Sequence, residues 1–174
     1  MALLDIVTYP KKILAQKTLP ITDFKNKRWD RLISDMAETM YNAPGIGLAA
    51  NQIGEPLRLA IIDITSSEDT ANRALHVFFN PKILEKSKQI DFEEGCLSLP
   101  GVSAPTRRYE EVVVEFQDRQ GNKKKLHTSG LLAVALQHEI DHLEGRLYID
   151  QLSTLKKDLV IKRFKKLQSM KKSS

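Results

Sequence analysis

The chain has 174 residues, 41% hydrophobic and 28% charged, a balance that suits one globular domain burying its own core. Its one cysteine, Cys96, rules out an intramolecular disulfide and fits a reducing compartment. No stretch approaches the roughly 20 apolar residues of a membrane span. The apolar run in residues 1–14 is broken at Asp5 without a small-residue cleavage site, so the expectation is a cytoplasmic protein with no signal peptide and no membrane contact.

Residues 26–42 place Trp29, Leu32, Ile33, Met36 and Met40 on one face of a 3.6-residue period. This predicts an amphipathic helix, and Pro44 and Gly45 stop it. The segment Pro44-Gly45-Ile46-Gly47-Leu48-Ala49-Ala50-Asn51-Gln52 lacks the Gly-Lys-Ser/Thr ending of a phosphate-binding loop. Its glycines suit a backbone that turns sharply or lets a ligand come close. Residues 57–63 read as a strand, 64–74 as a polar loop, and 76–80, 83–92 and 112–118 as further strands. Asp118-Arg119-Gln120-Gly121-Asn122 reads as a turn into an antiparallel strand that runs to His127.

Ser129 is placed as the N-cap of a helix from Gly130 to about Glu144, with Gly145 just past its end. Residues 131–136 are apolar on every side, so this helix runs through the core. A last helix, about residues 152–170, has an apolar edge at Val160, Phe164 and Leu167. The net charge of +5 resides there: from 156 to 172, eight Lys and Arg stand against one acid, Asp158. The strands come mostly together, with helices toward both ends. The expected fold is α+β, with antiparallel β-sheets packed around the central helix.

That central helix contains His138-Glu139-Ile140-Asp141-His142. Histidines at i and i+4 share a face and can reach one metal ion. Glu139 lies about 100° round the helix from His138 and can lean toward a metal-bound water. Imidazoles and carboxylates buried unpaired cost several kcal/mol, and a metal with its surroundings provides the partners. A third protein ligand is needed if a fourth position is to stay open for water. Cys96 is one candidate; His76, His127 and the nearby acids Asp141 and Glu144 are others, and spacing leaves the choice open. Asp141 can also orient a ligand imidazole or bond elsewhere. A thiolate ligand favours Zn²⁺ or Fe²⁺ over Mg²⁺ or Ca²⁺. Leu131, Val134 and Ala135 lie seven, four and three residues before His138 and border the metal face, as pocket wall or simply as core.

Three segments, Gly45-Ile46-Gly47-Leu48-Ala49-Ala50-Asn51-Gln52, Glu94-Gly95-Cys96-Leu97-Ser98 and Gln137-His138-Glu139-Ile140-Asp141-His142-Leu143, resemble the peptide deformylase family in content, order and separation. The likeness spans essentially the whole chain, including the basic C-terminal helix of one bacterial type. It implies a metal-dependent hydrolase that removes the formyl group from the N-terminal formyl-methionine of nascent polypeptides and releases formate. It implies Cys96, His138 and His142 as ligands of one divalent ion, Fe²⁺ in the cell, replaceable by Zn²⁺, Ni²⁺ or Co²⁺. Glu139 is then the general acid/base, and the Gln52 amide and Leu97 N–H stabilise the charge on the formyl oxygen. Ile46, Gly47 and the region of Glu94 join Leu131, Val134 and Ala135 around the methionine and the peptide backbone.

Ser103-Ala104 stands where some relatives carry a bulky or basic side chain, which puts one peptide contact in doubt. Arg108 matches a frequent arginine of the family and is expected to pair with Glu94. The resemblance also points to a ribosome contact through the basic helix. The expected organisation is a monomer with a catalytic domain over 1–150 and a helical extension of it over 151–174. The rival readings are a zinc endopeptidase and a non-catalytic, ribosome-associated metal-site protein. Cys96 and the first two motifs argue against the former, and Glu139 against the latter.

Overall fold

α1 (Arg28–Asn42) forms where the apolar periodicity places it. Trp29, Met36 and Met40 are buried, and Leu32 and Ile33 pack against the same cluster with Leu48, Ile61 and Phe79. Past its end the Gly45 N–H returns to the Met40 carbonyl at 2.8 Å, which turns the chain toward the sheet. The structure is a computed structural model and describes residues 2–65 and 68–173. Ser66 and Ser67 of the expected polar loop lie outside the described residues.

Five strands follow: β1 (Gly47–Ala49), β2 (Leu59–Ile62), β3 (His76–Cys96), β4 (Leu99–Gln117) and β5 (Lys123–Ser129). They form one antiparallel sheet in sequence order. β3 and β4 pair from Phe79↔Gln117 to Cys96↔Leu99, so only Leu97 and Ser98 join them. Register shifts at 79/82, 83/85 and 95/96 bend this long ribbon. One bend is set at Asn80, which adopts a φ of 51°, a value asparagine tolerates better than most residues. Its side chain is tied to the Ile21 backbone and to Gln117.

The strand expected at 112–118 is only the far half of β4. The near half hides from a hydrophobicity pattern because two of its inward positions are polar. Val102 and Ala104 are buried as usual, but the next two buried residues on that face are Thr106 and Arg108. Pro100, Gly101 and Pro105 further weaken the strand signal.

α2 (Gly130–Leu143) packs against all five strands, as its uniformly apolar first half requires. It starts where expected, at Gly130. Ser129 holds the N-cap position, but its side chain makes no capping bond, and Gly130 turns the chain with a φ of 69°. Gly145 ends the helix region as expected, at φ 77°, and a Cβ there would lie 2.8 Å from the Ala15 backbone.

α3 (Thr154–Lys172) opens on Ser153, whose hydroxyl accepts the Lys156 N–H. Phe164 is buried among Leu99, Val102, Ala104 and Tyr148, with Val160 and Leu167 beside it. No helix among the described residues is long and apolar enough to cross a membrane. Truncating a buried aromatic costs about 3–5 kcal/mol. Phe164→Ala is therefore expected to lower the urea midpoint by that equivalent, and an unchanged midpoint would mean that α3 is not anchored through this ring.

Candidate active site

α2 presents His138 and His142 one turn apart, and β3 ends on Cys96 directly opposite. The Cys96 Sγ, His138 and His142 ligand atoms lie within 4.8 Å of one another. Sγ is 3.2 Å from His142 Nε2, and the two Nε2 atoms are 3.1 Å apart. The choice among third donors is thus made by the turn between β3 and β4. His76 is instead exposed and stacks on Phe78, and His127 sits on β5. Asp141 is engaged by Arg108 and Arg146, and Glu144 by Arg58 and Lys17.

Glu94 decides how His138 faces the cluster. Its carboxylate is 4% exposed and lies 2.7 Å from His138 Nδ1, so Nε2 is the nitrogen left toward Cys96. Arg108 donates to both Glu94 oxygens, at 2.6 and 2.8 Å, and Thr106 Oγ1 donates to one of them. Arg108 also reaches Asp141 at 2.6 Å, which ties α2 to both strands. Burial pushes the Glu94 carboxyl up, but the bonds from His138 and Arg108 outweigh it and hold the group at about 2. The expected Arg108–Glu94 pair is present. Glu94 borders the cleft as expected, while its carboxylate is turned to His138 and Arg108.

Glu139 has the opposite surroundings. It is 4% exposed, and its Oε2 has no hydrogen-bond partner among the described residues. Burial pushes its carboxyl up to about 7. Gly47 makes room for it: a Cβ at that position would stand 3.0 Å from Glu139 Cδ and closer still to Oε1. Gln52, in a single 3₁₀ turn after β1, accepts the Ala49 N–H at Oε1 (2.9 Å). Its Nε2 therefore points to Ser98 Oγ at 3.1 Å and toward Cys96 Sγ at 3.6 Å.

These groups floor a cleft of about 520 Å³. Its wall includes all six residues expected around the substrate: Ile46, Gly47, Glu94, Leu131, Val134 and Ala135. Gln52, Cys96, Leu97, His138 and Glu139 line it too. Sequence reasoning missed three contributors. Phe92 lines the cleft, and its position two before Glu94 on a strand was the available signal. Asn51 Nδ2 holds the His142 carbonyl at 2.6 Å, and Thr106 completes the shell of Glu94.

A thiolate with two imidazoles is a donor set for Zn²⁺ or Fe²⁺, and the three donor atoms lie close enough together to share one ion. The residues present therefore fit a divalent ion. Fold and site together define the class: an α+β chain whose central helix offers two imidazoles and a buried acid to a cysteine at a strand end, the layout of a metal-dependent hydrolase. The chain belongs to the polypeptide deformylase family, which it matches over residues 3–158, and members of that family remove the formyl group from an N-terminal methionine.

The peptide deformylase of Syntrophobacter fumaroxidans is 47% identical over 166 residues, 95% of this chain and 96% of its own. That of Brucella suis is 44% identical over 174 residues, 99% and 98% of the two chains. The crystal structure of a peptide deformylase from Legionella pneumophila superposes with a TM-score of 0.91 at 39% identity, covering 99% of each chain. The one from Ehrlichia chaffeensis in complex with actinonin gives 0.87 at 34% identity, over 95% of this chain and 98% of that one.

Removing the cation from a buried ion pair typically costs about 3–5 kcal/mol. Arg108→Ala is expected to lower the unfolding free energy by that amount in urea titrations, since it strands the Glu94 carboxylate. Full stability in that variant would show that His138 and Thr106 suffice for Glu94.

Proposed function

We propose that this chain hydrolyses the formamide of N-formyl-methionyl peptides, with Cys96, His138 and His142 holding one divalent ion and Glu139 carrying the proton. The observation that supports it most is the Glu139 carboxylate: buried, without a partner at Oε2 among the described residues, and lining the cleft beside Cys96 and His138. The ion, Fe²⁺ in the cell and replaceable by Zn²⁺, Ni²⁺ or Co²⁺, supplies Lewis acidity that makes water nucleophilic near neutral pH.

Glu139 takes the proton from the attacking water and delivers it to the departing amine. Burial places its carboxyl close to neutrality, where a group both accepts and releases protons readily. Negative charge develops on the formyl oxygen during the attack. The Gln52 Nε2–H and the Leu97 N–H meet that charge. Gln52 is already oriented by the Ala49 N–H, so it needs little reorganisation, and loss of one such donor costs about 10²–10³-fold in rate. Ile46, Phe92, Leu131, Val134 and Ala135 give the methionine side chain an apolar wall, and Gly47 brings main chain against the substrate backbone.

In this reading α3 extends the catalytic domain of residues 1–150, and the protein works as a cytoplasmic monomer at the ribosome. Phe164 fixes the apolar edge of α3 on the body, while Lys156, Lys162, Arg163, Lys165 and Lys166 are exposed and available to RNA phosphates.

Formate release from a short N-formyl-methionyl peptide tests the activity, with an unformylated, internally cleavable peptide as control. Glu139→Ala is expected to cut turnover by about 10²–10⁴-fold while metal content stays at one ion per chain. Loss of the metal together with activity would make the assigned role wrong, and cleavage of the control would favour an endopeptidase. Changing Lys162, Arg163, Lys165 and Lys166 to Gln is expected to weaken ribosome co-sedimentation and flatten its salt dependence; unchanged binding at low salt would end the RNA reading.

A further inference from the structure

A second hollow, of about 250 Å³, shares Pro44, Gly45 and Ile46 with the cleft. The two cavities thus flank one stretch of main chain, the segment that leads into β1. The rest of the lining is Tyr41, Asp63, Ile64, Thr65 and Arg73. Ile46 and Ile64 are each 40% exposed and give the hollow an apolar rim.

Its exposed charge is that of Arg73, since Asp63 is buried. The guanidinium carbon lies 3.9 Å from the Tyr41 ring centroid, so one face of the group is stacked and its orientation is fixed. A stacked guanidinium keeps its in-plane N–H donors for a carboxylate, and Arg73 is exposed. The one acid in the lining does not compete. Asp63 is 2% exposed, and its oxygens accept from Tyr41 Oη at 2.6 Å, Thr65 N at 2.8 Å and Ala74 N at 3.0 Å. Asp69, on the same loop, is held by Asn72 and lies outside the lining.

Placement relative to the reacting centre follows from the chain itself. Gly47 touches Glu139, and from Gly47 back to Pro44 is three residues, on the order of 10 Å of extended backbone. A peptide whose formyl group sits at Glu139 and whose chain leaves along this segment brings its third or fourth residue level with the hollow.

We propose that the Tyr41–Arg73 hollow is a second peptide subsite, which takes an acidic side chain at the third or fourth residue of the formylated substrate. It rests on the deformylase reading and names the substrates that the enzyme prefers.

The test compares kcat/KM for formyl-Met-Ala-Glu-Ala and formyl-Met-Ala-Ala-Glu with the corresponding Lys peptides. An exposed charge pair favours the Glu peptide of one of these pairs by up to about fivefold, and 0.5 M salt collapses the ratio. Arg73→Gln is expected to bring the ratio to one and Arg73→Glu to invert it. Lys123→Glu, on the opposite edge of the sheet, controls for net charge and leaves the ratio in place. A wild-type ratio of one, or a ratio that Arg73→Glu does not move, would overturn the subsite while formate release upheld the deformylase reading. No formate from any of the peptides with metal-replete enzyme would sink both.

Discussion

The Glu94 carboxylate is where β3, β4 and α2 are held to one another. An ion buried to 4% exposure costs several kcal/mol unless nearly every lone pair is used. Here Arg108 binds both oxygens, Thr106 one, and His138 Nδ1 the other. The arrangement is satisfied in only one mutual position of the three elements. That same position fixes the His138 tautomer, because a ring that donates from Nδ1 offers the Nε2 lone pair. The geometry of the three ligand atoms is thus a consequence of how one charge is neutralised two bonds' reach away.

Two buried glutamates flank His138, and their surroundings drive them apart. Glu94 has a guanidinium and two further donors and is held at about 2 despite burial. Glu139 is equally buried but lacks such partners, and burial dominates, raising it to about 7. Carboxyls separated in this way are the pattern of a structural anion beside a candidate acid/base. The space that keeps Glu139 unpaired is made by an absent side chain, since any Cβ at Gly47 would collide with it.

Much of this was legible in the sequence where the physics is local. α1 declared itself through a 3.6-residue repeat, the end of α2 through Gly145, and two candidate ligands through the spacing of His138 and His142. Periodicity failed where inward positions serve chemistry rather than packing: the first half of β4 buries Thr106 and Arg108 and so does not look like a strand. The third ligand was open among several donors, because the approach of Cys96 to α2 depends on a two-residue link between strands that pair over nearly their whole lengths. The partner of His138 could not be read from its own helix. Asp141 was the near candidate in sequence, but it bonds Arg108 and Arg146, and the residue that meets His138 comes from 44 positions away. The N-cap at Ser129 was legible too, although a glycine in the left-handed region makes that turn without a bond from the hydroxyl.

The basic helix shows how an appendage in composition can be part of the body in packing. Its charge sets it apart, yet Phe164 shares a cluster with Leu99 and Val102, which also line the cleft. The same cluster contains Tyr148, whose ring stacks 6.3 Å from that of His138 at 24°. Interiors packed at crystal-like density transmit displacement rather than absorb it. A shift of α3 therefore bears on Tyr148 and on the strand end that carries Leu99, and through them on both sides of the ligand cluster. The helix can present its lysines outward because its apolar edge is occupied, and that edge is occupied by the wall of the site.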